Sequence, residues 1–387
     1  MEYLHDLVML LILAKLFGVP LKRIGVHPIV GHVLAGVILG PYILGIVSPS
    51  RELETIANVA LLLLLFYTGL TTDFRELRRK GVAVITMGIS GVVATFLLTY
   101  FTITFVLGMD HIKALFISIA LSNTATETVA ATIARLGGHD IKALVIGASF
   151  VDDVLAVFVI SIISSTAMGF AVDIKYLIIT TAIFMTTVLL LSQVLVTHAK
   201  SFYSKLSRDY LVFASTSIVL AFIMALIARK IGLSELVGAY LAGLIIGRGR
   251  EYHDPLIRAR VILSEFIEDL SIILEVLFVP MFFTFVGLLL TPMKVSTTLY
   301  LIGLSTAVIG KIIGCTPIAY LSLRDMKKGI AAGFAMTGRG ALETALLKLG
   351  LDYGIIGLTE YSTIVSITLT TVIIAPLLYS IMFRKIT

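Results

Sequence analysis

Two adjacent carboxylates, Asp152 and Asp153, stand in the middle of an otherwise apolar run, Phe150-Val151-Asp152-Asp153-Val154-Leu155. Lys311, in Ile309-Gly310-Lys311-Ile312, and Arg339, in Thr337-Gly338-Arg339-Gly340, are just as isolated among uncharged neighbours. An ionisable group at the centre of a membrane span costs at least ~2.5–3.5 kcal/mol, so such groups pair or line a polar path. Neighbours on a helix point about 100° apart, so the two acids face different surroundings. One can face an ion pathway while the other meets a basic partner. Lys311 is such a partner: the flanking glycines leave room for its stem. Arg324 and Lys327, at the end of the same run, lie too far along the chain for snorkelling to explain it.

A second group of polar residues interrupts another apolar run. Ser122-Asn123-Thr124-Ala125-Thr126-Glu127-Thr128 holds six polar residues in seven. Hydroxyls and a carboxylate compete with helical backbone bonds. The spacing predicts a locally unwound segment whose freed carbonyls and hydroxyls, Ser122 and Thr124 among them, take part in cation binding. A later stretch, Met336-Thr337-Gly338-Arg339-Gly340-Ala341-Leu342-Glu343, is an equally poor continuous helix. Arg339 and Glu343 are spaced i,i+4 on one face. If the two broken segments cross, Arg339 and Glu127 meet; the plainer reading is that these charges only hold the crossing together.

Other candidates are weaker. His32 reads as a packed, hydrogen-bonded histidine. Glu275, five residues before Pro280, faces either a cavity or a packed helix. Glu265, Glu268 and Asp269 read as solvated at a span entrance, and Cys315 as packing. The sequence shows no transition-metal spacing and no nucleophile-and-base pattern. A transporter is expected rather than an enzyme, with no cofactor.

The elements that must position these residues follow from composition. The chain has 387 residues, 58% hydrophobic and 14% charged, with mean hydropathy +1.05. A soluble domain has about 25% charged residues. A soluble enzyme, a disordered chain and a disulfide scaffold are excluded. Apolar runs of about 20 residues predict an all-α polytopic membrane protein, not a β-barrel, whose strands alternate. Thirteen spans are expected: 3–18, 27–47, 53–70, 81–107, 112–135, 142–167, 174–198, 209–229, 233–247, 264–290, 295–321, 327–349 and 357–382. The first is not a cleavable signal, since its head carries Glu2 and Asp6. With the N-terminus outside, the inner loops hold 21 Lys and Arg and the outer loops 7, Lys348 among the latter. The positive-inside rule therefore places the N-terminus outside and the C-terminus in the cytoplasm, and gives the net charge of +6 no nucleic-acid meaning. Tyr3, Tyr176, Tyr210 and Tyr300 are the expected interfacial anchors.

The chain also repeats itself. Arg23-Ile24-Gly25 through Gly36 and Gly40 recurs as Lys230-Ile231-Gly232 through Gly243 and Gly247, at an offset of 207 residues. Arg135-Leu136-Gly137 recurs as Lys348-Leu349-Gly350, at an offset of 213. These matches pair the second span with the ninth and the fifth with the twelfth. A shift of seven spans inverts the second copy. One transporter domain is expected over residues 1–387, with inverted six-helix repeats at 1–167 and 209–387 joined by a linker helix at 174–198, as in secondary transporters with midplane sites at broken helices. No soluble nucleotide-binding domain is expected.

The Asp-Asp pair in its "DDVL" setting, Lys311, the Ser/Thr-rich break at 122–128 and the Arg-Gly at 339–340 together resemble the monovalent cation:proton antiporter superfamily. Order and spacing are most similar to the NapA-type sodium/proton antiporter branch. Tyr67-Thr68-Gly69-Leu70-Thr71-Thr72-Asp73-Phe74 also resembles a third-span signature there. The resemblance implies an NhaA/NapA-like fold, a homodimer in the plasma membrane, and exchange of cytoplasmic Na⁺ or Li⁺ for external protons. It implies that Asp153 is the main cation- and proton-binding carboxylate, and that Asp152, also at the Na⁺ site, pairs with Lys311. An Asp-Asp pair implies electrogenic exchange. Glu127 and Glu343 depart from the pattern: the first adds a carboxylate, and Ala341 stands where related chains have Arg-Gly-Glu. A potassium/proton antiporter, a passive cation channel and a fluxless sensor are the alternative readings.

Overall fold

The computed structural model describes residues 2–24, 26–72, 74–125, 139–167, 209–231, 233–247 and 257–383. The expected linker helix at 174–198 lies outside the described residues, as does Glu127. The described residues are helices and their connections: α1 (Glu2–Ile24), α2 (Pro28–Leu39), α3 (Arg51–Thr71), α4 (Phe74–Leu107), α5 (His111–Ala120), α6 (His139–Ala167), α7 (Tyr210–Lys230), α8 (Glu235–Gly247), α9 (Ile257–Ile273), α10 (Val279–Leu289), α11 (Thr297–Leu323), α12 (Met326–Ala335), α13 (Ala341–Asp352) and α14 (Leu358–Phe383). Among them α1, α3, α4, α7, α11 and α14, together with the run Val261–Leu289 through α9 and α10, are seven spans long and apolar enough to cross a membrane, and α2, α5 and α8 are shorter apolar helices.

Local chemistry explains where the helices stop. The expected span at 27–47 is helical only to Leu39, because Gly40-Pro41 follows and a proline cannot continue the ladder. The chain then turns back on itself, with Val47 N–H donating to the Leu39 carbonyl at 2.9 Å. Gly45 takes the left-handed conformation there, φ +65°. The expected span at 264–290 becomes α9 and α10, joined by a π-helical turn at Leu274–Phe278 just before Pro280. A proline ring clashes with the carbonyl four residues back, and the widened turn accommodates it. Glu275 is exposed on that turn.

The chain divides into two compact units. One comprises Met1–Thr55, Glu76–Ala156 and Pro280–Thr387. Its core runs through α4, α6, α11, α12 and α14, where Val84, Met87, Leu144, Ala148, Cys315, Ala332 and Tyr379 pack together. In this unit α2 crosses α10 through two glycines. A Cβ on Gly36 would run into the Thr284 carbonyl oxygen, and one on Gly287 into that of Val33. The other unit comprises Ile56–Arg75 and Val157–Val279. There α8 crosses α3: a Cβ on Gly243 would strike the Phe66 carbonyl, and one on Gly69 that of Tyr240. Phe66 and Phe213 each pack on Phe266, with ring centroids 6.4 and 5.8 Å apart.

The two crossings are the same contact made twice. Gly36 and Val33 match Gly243 and Tyr240 at the offset of 207 residues read from the sequence. In each, an early helix of one repeat is crossed by a helix of the other, glycine facing the third carbonyl back. The sequence match at 207 residues thus has a counterpart in packing.

Candidate functional site

The site is built where two helices break. Asp110 caps α5, its carboxylate accepting from the backbone N–H groups of Ile112 at 3.0 Å and Lys113 at 3.4 Å. Asp325 caps α12 in the same way, from Lys327 at 2.8 Å and Lys328 at 3.2 Å. Each helix then runs for ten residues and stops. Leu121 and Met336 hold φ, ψ of −74°, −5° and −75°, −1°. The Ser122 hydroxyl donates to the Ile119 carbonyl and the Thr337 hydroxyl to that of Phe334, both at 2.7 Å. Terminal carbonyls that have lost their helical partners are satisfied this way.

Beyond that point the two segments cross. The Thr124 hydroxyl donates to the Met336 carbonyl at 2.7 Å. The Ala125 N–H donates to the Gly338 carbonyl at 3.0 Å. The Arg339 guanidinium donates through Nη1 to the Asn123 carbonyl. Two carboxyl-ending helices converge here, so their carbonyl dipoles gather partial negative charge. A buried arginine is suited to that surrounding, because its donors form a rigid fork. Arg339 is 1% exposed, and its Nε lies 4.0 Å from Oε2 of the equally buried Glu343.

The geometry also refines the alignment of the repeats. The helices before the breaks superpose in sequence at an offset of 215, so Arg339 stands opposite Thr124. The motif after the breaks matches at 213, an offset that would set Arg339 opposite Thr126. The first copy is two residues longer across its break. The expected meeting of Arg339 with Glu127 lies outside the described residues.

Asp152 and Asp153, on α6, are 1% and 4% exposed. Lys311, on α11, is fully buried, and its Nζ forms an ion pair with Oδ2 of Asp152. Oδ1 of Asp152 has no hydrogen-bond partner among the described residues. Burying two charges is tolerable only when they face each other closely. Lys311 packs against α4. A Cβ on Gly91 would stand 3.6 Å from Lys311 Nζ and 2.6 Å from Cys315 Sγ. Gly310 and Gly314, expected to make room for the stem, instead let α4 approach. A Cβ on Gly310 would lie 2.5 Å from Thr95 Cα, and Ser90 donates to the Gly314 carbonyl at 2.7 Å.

The structure thus brings Asp152 to Lys311 and Thr124 to the second break. Ser122 is buried and gives its hydroxyl hydrogen to its own helix end. His32 is buried, 4% exposed, packed as expected, with Nδ1 lacking a hydrogen-bond partner among the described residues. Glu265, Glu268 and Asp269 are exposed as expected. No group of metal-holding His, Cys, Asp or Glu occurs among the described residues. Two features escaped the sequence reading. The Asn123 carbonyl is a backbone group, so side-chain types did not point to it. Lys348, counted among loop residues, is 2% exposed and lies inside the fold.

Known proteins resemble this chain over its whole length. The GerN protein of Bacillus cereus, named a Na⁺/H⁺–K⁺ antiporter, is 25% identical over 379 residues, covering 97% of this chain and 95% of GerN. A Na⁺/H⁺ antiporter of Enterococcus hirae is 25% identical and covers 100% and 99%. The sodium proton antiporter MjNhaP1 of Methanocaldococcus jannaschii shares the fold, with TM-score 0.71 at 18% identity, covering 100% of this chain and 99% of that one. The family model described as "Sodium/hydrogen exchanger, transmembrane" matches residues 8–385. This chain is a multi-pass membrane protein and belongs to the transmembrane sodium/hydrogen exchanger family.

Proposed function

We propose that this chain is a secondary antiporter that exchanges Na⁺ or Li⁺ for protons by alternating access. The observation that carries the reading is the fully buried Asp152–Lys311 ion pair, next to Asp153 and in the same unit as two crossed helix breaks. A carboxylate in a half-dry site can hold a proton or a dehydrated monovalent cation, but not both well. That competition couples the two fluxes. Asp153 is the main binding carboxylate. Lys311 offsets the charge of Asp152 while the site is empty and yields that contact when a cation or proton arrives. Ser122 and Thr124 offer oxygens from the unwound segment, and Arg339 with Glu343 keeps the crossing in register. Rocking of the core helices exposes the site to each face in turn.

The Asp-Asp pair supports electrogenic exchange. The loop charges support a plasma-membrane orientation with the N-terminus outside, and the family resemblance supports a homodimer. The names of the relatives support antiport as against a channel. They also favour potassium as a second substrate, since GerN is named for both ions.

The test is exchange in proteoliposomes with an imposed proton gradient. Asp153→Asn is expected to abolish it. Sodium-dependent proton flux that survives in that variant would sink the assignment, and current indifferent to the proton gradient would point to a channel. Currents on solid-supported membranes with Na⁺, Li⁺ and K⁺ would rank the ions.

A further inference from the structure

Lys348 is the buried cation that the exchange mechanism leaves unused. It lies two turns beyond Arg339 along the second broken segment, on α13. Its side chain is 3% exposed, whereas its partners Glu54 and Asp352 keep 41% and 35% of theirs. Lys348 Nζ is 3.0 Å from Oε1 of Glu54, in the first turn of α3, and 2.6 Å from Oδ2 of Asp352, one turn along its own helix. It also lies 5.8 Å from the centroid of the Phe285 ring of α10. One ammonium therefore ties α13 to two other helices, and those two are matched to each other by the inverted repeat.

Three features separate this contact from an ordinary rim ion pair. The ammonium is the buried member and the carboxylates are the wet ones, so the lysine has no route to water that keeps its contacts. The aromatic face adds attraction for a cation that a carboxylate rim alone would not supply. And α13 is a half-helix, continuous with Gly338-Arg339-Gly340 at the crossing, so whatever fixes its far end also fixes the approach of Arg339. By contrast Lys113, which pairs with Glu360 at 3.3 Å, has a side chain 42% exposed and can swing free.

We infer that Lys348 is a positioning residue for transport, a clamp that holds the second broken helix against α3 and α10 in the conformation seen here and must release for the site to change the face it opens to. The inference rests on the antiport reading for its consequence, but not for the contact itself. Releasing the clamp shifts population away from this conformation by the free energy of the contact.

The experiment uses the full chain with Lys348→Met, Lys348→Arg, Glu54→Gln and the Lys348→Met/Glu54→Gln double variant. Each is read two ways. The first is the rate at which maleimide labels Thr344→Cys in detergent. Thr344 is 1% exposed on α13, and the chain without that substitution, whose Cys315 is buried, is the blank. The second is the apparent KM for Na⁺ in proteoliposomes. Lys348→Met and Glu54→Gln are each expected to raise labelling about fivefold and to move KM about fivefold, with the double variant no further changed than either single. Lys348→Arg keeps the charge and should stay near wild type. Labelling and KM within about twofold of wild type in both singles, or fully additive effects, would overturn the clamp. If Lys348→Met does not fold, Glu54→Gln, which alters a half-exposed side chain, carries the same test. If wild type shows no exchange, the antiport reading fails, and the labelling rates still decide the clamp.

Discussion

The helix before the first break and the helix before the second begin on a capping aspartate, run ten residues, and end on backbone angles within a few degrees of each other. Even the hydroxyls that close them, Ser122 and Thr337, reach the third carbonyl back at the same 2.7 Å. One residue later the likeness ends. The first segment continues as Asn123-Thr124-Ala125 and presents oxygens; the second continues as Gly338-Arg339-Gly340 and presents a cation. Two copies of one backbone device have thus taken opposite charges. The physical reason is that two identical helix ends would crowd partial negative charge at the crossing. An arginine from one copy relieves that, and leaves the oxygens of the other available.

The contrast can be broken most severely at Arg339. Arg339→Met removes the donor to the Asn123 carbonyl and strands Glu343. Breaking a buried pair this way is expected to cost about 3–5 kcal/mol, read from denaturant unfolding in micelles. Lysine should not rescue it, because one ammonium cannot serve both the carbonyl and the carboxylate in the guanidinium's geometry. Wild-type stability in Arg339→Met would take the arginine out of the crossing.

A smaller loss is expected on the oxygen side. Thr124→Val leaves the Met336 carbonyl without its 2.7 Å donor and should cost about 1–3 kcal/mol. Thr124→Ser keeps the donor and should recover most of that. A loss in Thr124→Ser with none in Thr124→Val would show that the methyl group matters and the hydroxyl does not.

The smallest effect sharpens the likeness instead. Asp110→Ala and Asp325→Ala each remove one N-cap and should each cost about 1 kcal/mol. Thermal midpoints lowered by similar amounts would confirm that the two helix starts are energetic equivalents. A marked difference would mean that one is held by its surroundings and not by its cap.

Much of this was legible in residue order. The breaks could be read because six polar residues in seven, and a glycine-flanked arginine, cannot sit in a continuous membrane helix. The buried charges could be read because hydrocarbon does not tolerate them unpaired. What misled was local context. Gly310 and Gly314 flank Lys311 in the chain and suggested room for its stem, but a Cβ on either would meet the backbone of α4, so they serve the approach of two helices. Lys348 sits near the end of an apolar run, where a lysine ordinarily means a loop. Its burial depends on Glu54, 294 residues away.

By itself the sequence determined the membrane environment, the matching glycine motifs, both breaks and the set of charges that must be paired. Those follow from composition and periodicity, since the cost of a misplaced polar group is fixed by its chemistry. Only the tertiary structure decided which charge meets which: Asp152 with Lys311 across 159 residues, Arg339 with a backbone carbonyl, and Lys348 with Glu54. Pairing depends on which helix faces touch, and those faces are set by glycines that let backbones approach, a constraint that appears in the sequence only as a small residue.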